Sequence, residues 1–115
     1  MPLNSRDLAY LEDMQMAAHE LRQFTTGISR EQFHERRDVQ LIAERLIQAL
    51  GELANHVSRD VQDEHREIAW MDMVGQRNVI AHEYGRIIVD RLWDTVENDL
   101  PILIATLDRV LANEP

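Results

Sequence analysis

An all-α fold, an antiparallel bundle of four to five helices, is what this 115-residue sequence predicts. Three observations carry that reading. Apolar residues recur at three- and four-residue spacing almost throughout, and no stretch alternates apolar and polar residues as a half-buried strand would. Only four glycines and three prolines punctuate the chain. The length suits one domain, residues 1–115, able to bury roughly two thirds of its unfolded surface.

The elements follow in order. Asn4 or Ser5 caps a first helix whose apolar face carries Leu8, Leu11, Met14, Ala18, Leu21 and Phe24, and Gly27 stops it. Ser29-Arg30-Glu31-Gln32 reads as a capping box, flanked by Ile28 and Phe33 as a hydrophobic staple. It opens a short turn or leads into a second long helix striped by Val39, Ile42, Leu46, Leu50, Leu53 and Val57. Ser58 to Glu67 is polar and suits a connection with at most a short helix. A third long helix starts near Ile68, carries Trp70, Met71, Val74 and Ile80, and ends close to Gly85. The last runs from about Asp90 with Leu92, Val96, Leu100, Leu103, Leu107 and Val110 inward. Pro101 interrupts it, because proline removes a backbone donor inside a helix.

Composition excludes several classes. The chain has no cysteine, hence no disulfide, thiolate metal site or thiol nucleophile. No apolar run nears the roughly 20 residues that span a bilayer, and the N-terminus lacks a signal-like apolar segment, so a cytoplasmic protein is expected. A net charge of −9 argues against a broadly basic nucleic-acid surface, so any RNA contact must use a local cluster of cations. All twelve cations are arginines, which genomic base composition explains more simply than function.

One segment mixes reactive side chains inside an otherwise apolar helix: Gly75-Gln76-Arg77-Asn78-Val79-Ile80-Ala81-His82-Glu83-Tyr84. Asn78 and His82 are one helical turn apart, close enough for a hydrogen bond that fixes the imidazole tautomer. Arg77 and His82 stand about 140° apart around a straight axis. Reaching one phosphate would need the long arginine arm, a break before Gly85, or a second copy of the chain. Cutting RNA through the neighbouring 2′-hydroxyl needs a proton-moving group near neutral pH, which histidine supplies. It also needs positive charge beside the developing phosphorane, which a forked guanidinium supplies. Tyr84 offers a hydroxyl for substrate or for a modifying group.

This segment resembles the motif of the HEPN superfamily: arginine, a polar residue, three further positions, histidine, one position, tyrosine. In its HepT-like branch that motif is the ribonuclease site. The likeness extends to Ala43-Glu44-Arg45-Leu46-Ile47-Gln48-Ala49-Leu50-Gly51-Glu52-Leu53, to Ile68-Ala69-Trp70, and to Leu92-Trp93-Asp94-Thr95-Val96-Glu97-Asn98-Asp99-Leu100-Pro101. Ala69 departs from the proline common there. The resemblance implies a homodimer whose two motif helices face one cleft, with Arg77 and His82 catalytic and Asn78 and Tyr84 supporting. It implies an RNA substrate and the toxin role in a type VII-like toxin–antitoxin pair. Tyr84 matches the residue to which a minimal nucleotidyltransferase antitoxin adds AMP from ATP, so metal and nucleotide would belong to that partner and no cofactor to this chain. The alternative is a non-catalytic nucleotide-binding or scaffold module that partners a nucleotidyltransferase.

The remaining candidates read as structural. His19, His34, His56 and His65 lie in different segments without metal-box spacing. Glu44 and Glu52 read as solvated carboxylates, and Met14, Met16, Met71 and Met73 as core filling. Trp70 and Trp93 read as packing anchors. Arg36-Arg37 could help hold RNA, but flanked by Glu35 and Asp38 the pair reads first as a solvated face.

Overall fold

The computed structural model describes residues 2–82 and 85–115, with backbone alone for Arg77, Asn78, Ala81 and His82. Seven α-helices and no strand occur among the described residues: α1 (Ser5–Thr25), α2 (Arg30–Glu35), α3 (Arg37–His56), α4 (Arg59–Glu64), α5 (Trp70–His82), α6 (Arg86–Asp94) and α7 (Leu100–Ala112). A π-helical turn, Thr95–Asp99, joins the last two.

Local chemistry sets the helix starts. The Asn4 side chain accepts the Asp7 amide and opens α1, and Thr26 with Gly27 closes it, the glycine at φ 79°. Both halves of the Ser29 capping box form: the Gln32 amide donates to Ser29 Oγ at 3.1 Å, and the Ser29 amide to Gln32 Oε1 at 2.9 Å. A six-residue helix cannot persist alone. Phe33 anchors α2, fully buried against Trp93 of α6 with ring centroids 5.2 Å apart. Burying such a ring contributes about 1.5–3 kcal/mol.

Helix α3 is central, packing on α1 along one side and α5 along the other, while α7 lies against α1. The long neighbours are antiparallel. The start of α1 meets the end of α3, where the Ser58 amide and hydroxyl donate to the two Asp7 oxygens at 2.9 and 2.8 Å. The same start meets the end of α7, where the Leu3 amide donates to Glu114 Oε1 at 2.8 Å. Asp7 is buried, an anchor that sequence spacing did not single out.

The inner faces differ in part from the predicted stripes. In α3 the buried line is Val39, Ala43, Ile47, Leu50 and Ala54, while Ile42, Leu46 and Leu53 are only partly buried. A reading weighted by large side chains passes over alanine and glycine, which are what let two helices approach closely. In α5 the core residues are Trp70 and Met73, whereas Met71 is 88% exposed. Met14 is buried as expected but Met16 is exposed, and Phe24 is partly exposed at the end of α1. Both tryptophans are buried anchors. The last long segment begins at Arg86 rather than near Asp90. Pro101 is absorbed by the π turn before it: the Leu100 amide donates five residues back to the Thr95 carbonyl, and Pro101 falls in the first turn of α7, where its missing donor costs little. Among the described residues no helix is long and apolar enough to cross a membrane.

Candidate functional site

The motif occupies the second half of α5, whose backbone stays helical through Arg77 and Asn78 to His82. The side chains of Arg77, Asn78 and His82, and the whole of Tyr84, lie outside the described residues. What the structure does describe is how this helix is held.

Three contacts set its position. A Cβ built on Gly51 of α3 would lie 2.5 Å from the Met73 carbonyl oxygen, so α3 and α5 meet backbone to backbone. Only glycine permits that approach. Val79 and Ile80 then pack against the core. Beside them Gln76 Nε2 donates to Thr95 Oγ1 at 2.9 Å, and that hydroxyl donates to the Arg91 carbonyl at 3.1 Å. Gln76 precedes Arg77 directly, so the motif is tied to the π turn at the residue where it begins. The sequence signal for this link was indirect, namely Pro101, which marks the irregular turn.

A polar hollow of about 410 Å³ lies between α5 and the π turn, lined in part by Gly75, Gln76, Val79, Asp94 and Asp99. Burial pushes the Asp99 carboxyl above its ordinary range, and the nearby charges of Asp72 and Asp94 push it the same way. A larger groove of about 920 Å³ opens where α6 begins, at Gly85 and Arg86, and is walled by α2 and the start of α3. On its wall His34 Nε2 lies 2.7 Å from Asp90 Oδ1, and Arg30 lies 3.5 Å from Asp90 and 3.0 Å from Asp94. Sequence reasoning missed this cluster, since 56 residues separate His34 from Asp90.

The other histidines are dispersed, as expected. His19 lies 2.8 Å from Asp108, His56 stacks on Tyr10, and His65 lies 3.5 Å from Glu67. The His19 contact, with a second from Gln15, holds the Asp108 carboxyl below its ordinary range. Glu52 is exposed. The two arginines treated as a pair separate: Arg36 grips Asp38 with two hydrogen bonds of 3.0 and 2.9 Å and lowers that carboxyl to about 2, while Arg37 lines the larger groove.

The chain is thus an all-α bundle whose fifth helix carries the motif in its sequence. Residues 14–110 match the family model described as ribonuclease HepT-like. The chain belongs to that family, which bears out the expectation of a ribonuclease. It is 31% identical over 101 residues to the protein of Thermococcus cleftensis named "Probable ribonuclease HepT", covering 88% of this chain and 92% of the relative. A protein of Methanocaldococcus jannaschii named as a candidate RNase is 28% identical over 100 residues, covering 86% and 92%. One from Caldanaerobacter subterraneus subsp. tengcongensis, also named as a candidate RNase, is 24% identical over 105 residues, covering 91% and 94%. No solved structure matches the chain significantly.

Proposed function

We propose that this HepT-like chain is the RNA-cutting toxin of a type VII-like toxin–antitoxin pair, acting in the cytoplasm as a homodimer. The observation that carries the reading is one helix bearing Arg77, Asn78 and His82, followed by Tyr84, in a chain of the HepT-like ribonuclease family. Around the α5 axis from buried Met73, backbone positions 77, 78 and 82 lie about 40°, 140° and 180°, so the three do not share one side of the helix. Positions 77 and 82 remain about 140° apart, and the helix runs unbroken between them, which favours a cleft shared by two copies.

In the reaction His82 takes the proton of the 2′-hydroxyl as its oxygen attacks phosphorus. Arg77 neutralises the charge that gathers on the phosphorane. The P–O5′ bond breaks, a protonated imidazole returns a proton to the leaving oxygen, and the products are a 2′,3′-cyclic phosphate and a 5′-hydroxyl. Asn78 fixes the imidazole. The antitoxin, a minimal nucleotidyltransferase, switches the site off when the Tyr84 oxygen displaces pyrophosphate from ATP and keeps the AMP. The added negative charge beside the cleft then repels RNA.

The test pairs purified protein with RNA and with growth. Wild type should cut RNA and arrest cells lacking the partner, while His82→Ala should fold, dimerise and lose about two to four orders of magnitude in rate. An equally active His82→Ala protein refutes the assignment. RNA left intact by the wild type at every concentration, with the nucleotidyltransferase still bound, leaves the scaffold reading.

A further inference from the structure

We propose that the groove walled by α2, the start of α3 and the start of α6 binds the phosphate backbone of RNA beside the cleavage site. This rests on the ribonuclease reading and extends the substrate's path beyond the motif.

The groove begins at Gly85, three residues past His82, so a strand held at the motif has a short way to run before reaching it. Its volume of about 920 Å³ is at the upper end of ligand sites, which span roughly 300–1,000 Å³. Its basic side chains differ in their partners. Arg30 is engaged by Asp90 and Asp94, and His34 by Asp90. Arg37 and Arg86 form no ion pair among the described residues.

Arg37 is nevertheless held in place. Its Nη1 donates to Gln40 Oε1 at 3.3 Å, and the Gln40 amide nitrogen is spent on the carbonyls of Phe33 and His34 at 2.8 and 3.1 Å. Gln40 is buried, so a neutral, fixed acceptor orients the guanidinium without cancelling its charge. Its neighbour Arg36 shows the contrast, being neutralised by Asp38. Neither Arg37 nor Arg86 stabilises the helix it opens, because a cation there opposes the helix dipole.

The lining also says which part of RNA is met. Among its described lining residues Val89 is the one aliphatic side chain, so charged side chains outnumber apolar ones there. Guanidinium forks suit phosphate. Glu31 and Glu35, exposed along α2, repel phosphate from that wall and leave the Arg37 and Arg86 side for it.

The experiment measures fluorescence anisotropy of a 2′-O-methyl RNA oligomer, which lacks the attacking hydroxyl, across a salt series. The Arg37→Gln/Arg86→Gln double variant should bind about tenfold or more weakly. Its salt dependence should flatten by about 1.4 log units per log unit of salt, two single-strand phosphate contacts. Arg36→Gln should bind as the parent does. Cleavage of a long RNA should fall with binding, and cleavage of a dinucleotide, too short to reach the groove, should not. Double-variant affinity within twofold of the parent overturns the proposal, and so does absence of parent binding. A loss that tracks a changed oligomeric state in light scattering also overturns it, making the groove a protein interface. A parent that binds the oligomer through these arginines but cuts no RNA refutes the ribonuclease reading and leaves the groove standing.

Discussion

Gly51 of α3 and the Met73 carbonyl of α5 meet so closely that a single added carbon would stand 2.5 Å from the oxygen. Substituting alanine normally favours a helix by about 1 kcal/mol. Here the clash is with backbone, and overpacking of this kind costs about 1–3 kcal/mol. Gly51→Ala should therefore lower stability in urea unfolding, and Gly51→Val should lower it further. A more stable alanine variant would show that α3 and α5 are not locked at this point.

The Gln76–Thr95 hydrogen bond makes a different prediction. Gln76→Leu and Thr95→Val should each cost about 1 kcal/mol of stability and reduce kcat several-fold with little change in KM. Thr95→Ser keeps the hydroxyl and should behave as the parent. The double variant should be no worse than the worse single one, since both remove the same link. Additive losses would mean that the two side chains act separately.

Asp99 gives a pH dependence of defined sign. Its carboxyl is raised in the folded chain, so the native state binds more protons than the unfolded one between the two pKa values, and stability falls as pH rises through that window. Asp99→Asn should raise Tm at neutral pH by about 1–3 °C, a small effect because solvent screens a partly exposed group. The gain should vanish in acid, below the ordinary carboxylate range, where Asp99 is protonated in both states. A Tm difference independent of pH would exclude titration of Asp99 as the cause.

Tyr84 is tested by mass. Co-expression with a minimal nucleotidyltransferase should add AMP units to the intact chain, and Tyr84→Phe should remove them while leaving the partner bound. Equal added mass on the phenylalanine variant would place the acceptor elsewhere.

Much of the architecture was legible before any coordinates. Three- and four-residue apolar spacing, the Ser29 box and the Gly27 stop are local signals, because helix capping and periodicity are decided within a turn or two. The motif was legible for the same reason: Arg77, Asn78, His82 and Tyr84 fall within eight consecutive residues. The inner face of α3 was only half legible. Its buried line includes Ala43, Gly51 and Ala54, small residues that a search for large apolar side chains passes over.

By itself the sequence determined the helical class and the order of the long helices, and it singled out the segment proposed as reactive. Tertiary structure decided which of two adjacent arginines is spent on Asp38 and which lines a groove, and it joined His34 to Asp90 and Asp7 to Ser58. It also turned the Pro101 interruption into a π turn that grips the motif helix through Thr95. The physical reason is range. A helix is written in bonds between residues four apart, whereas a side chain's partner across the bundle depends on how helices pack, which no local pattern encodes.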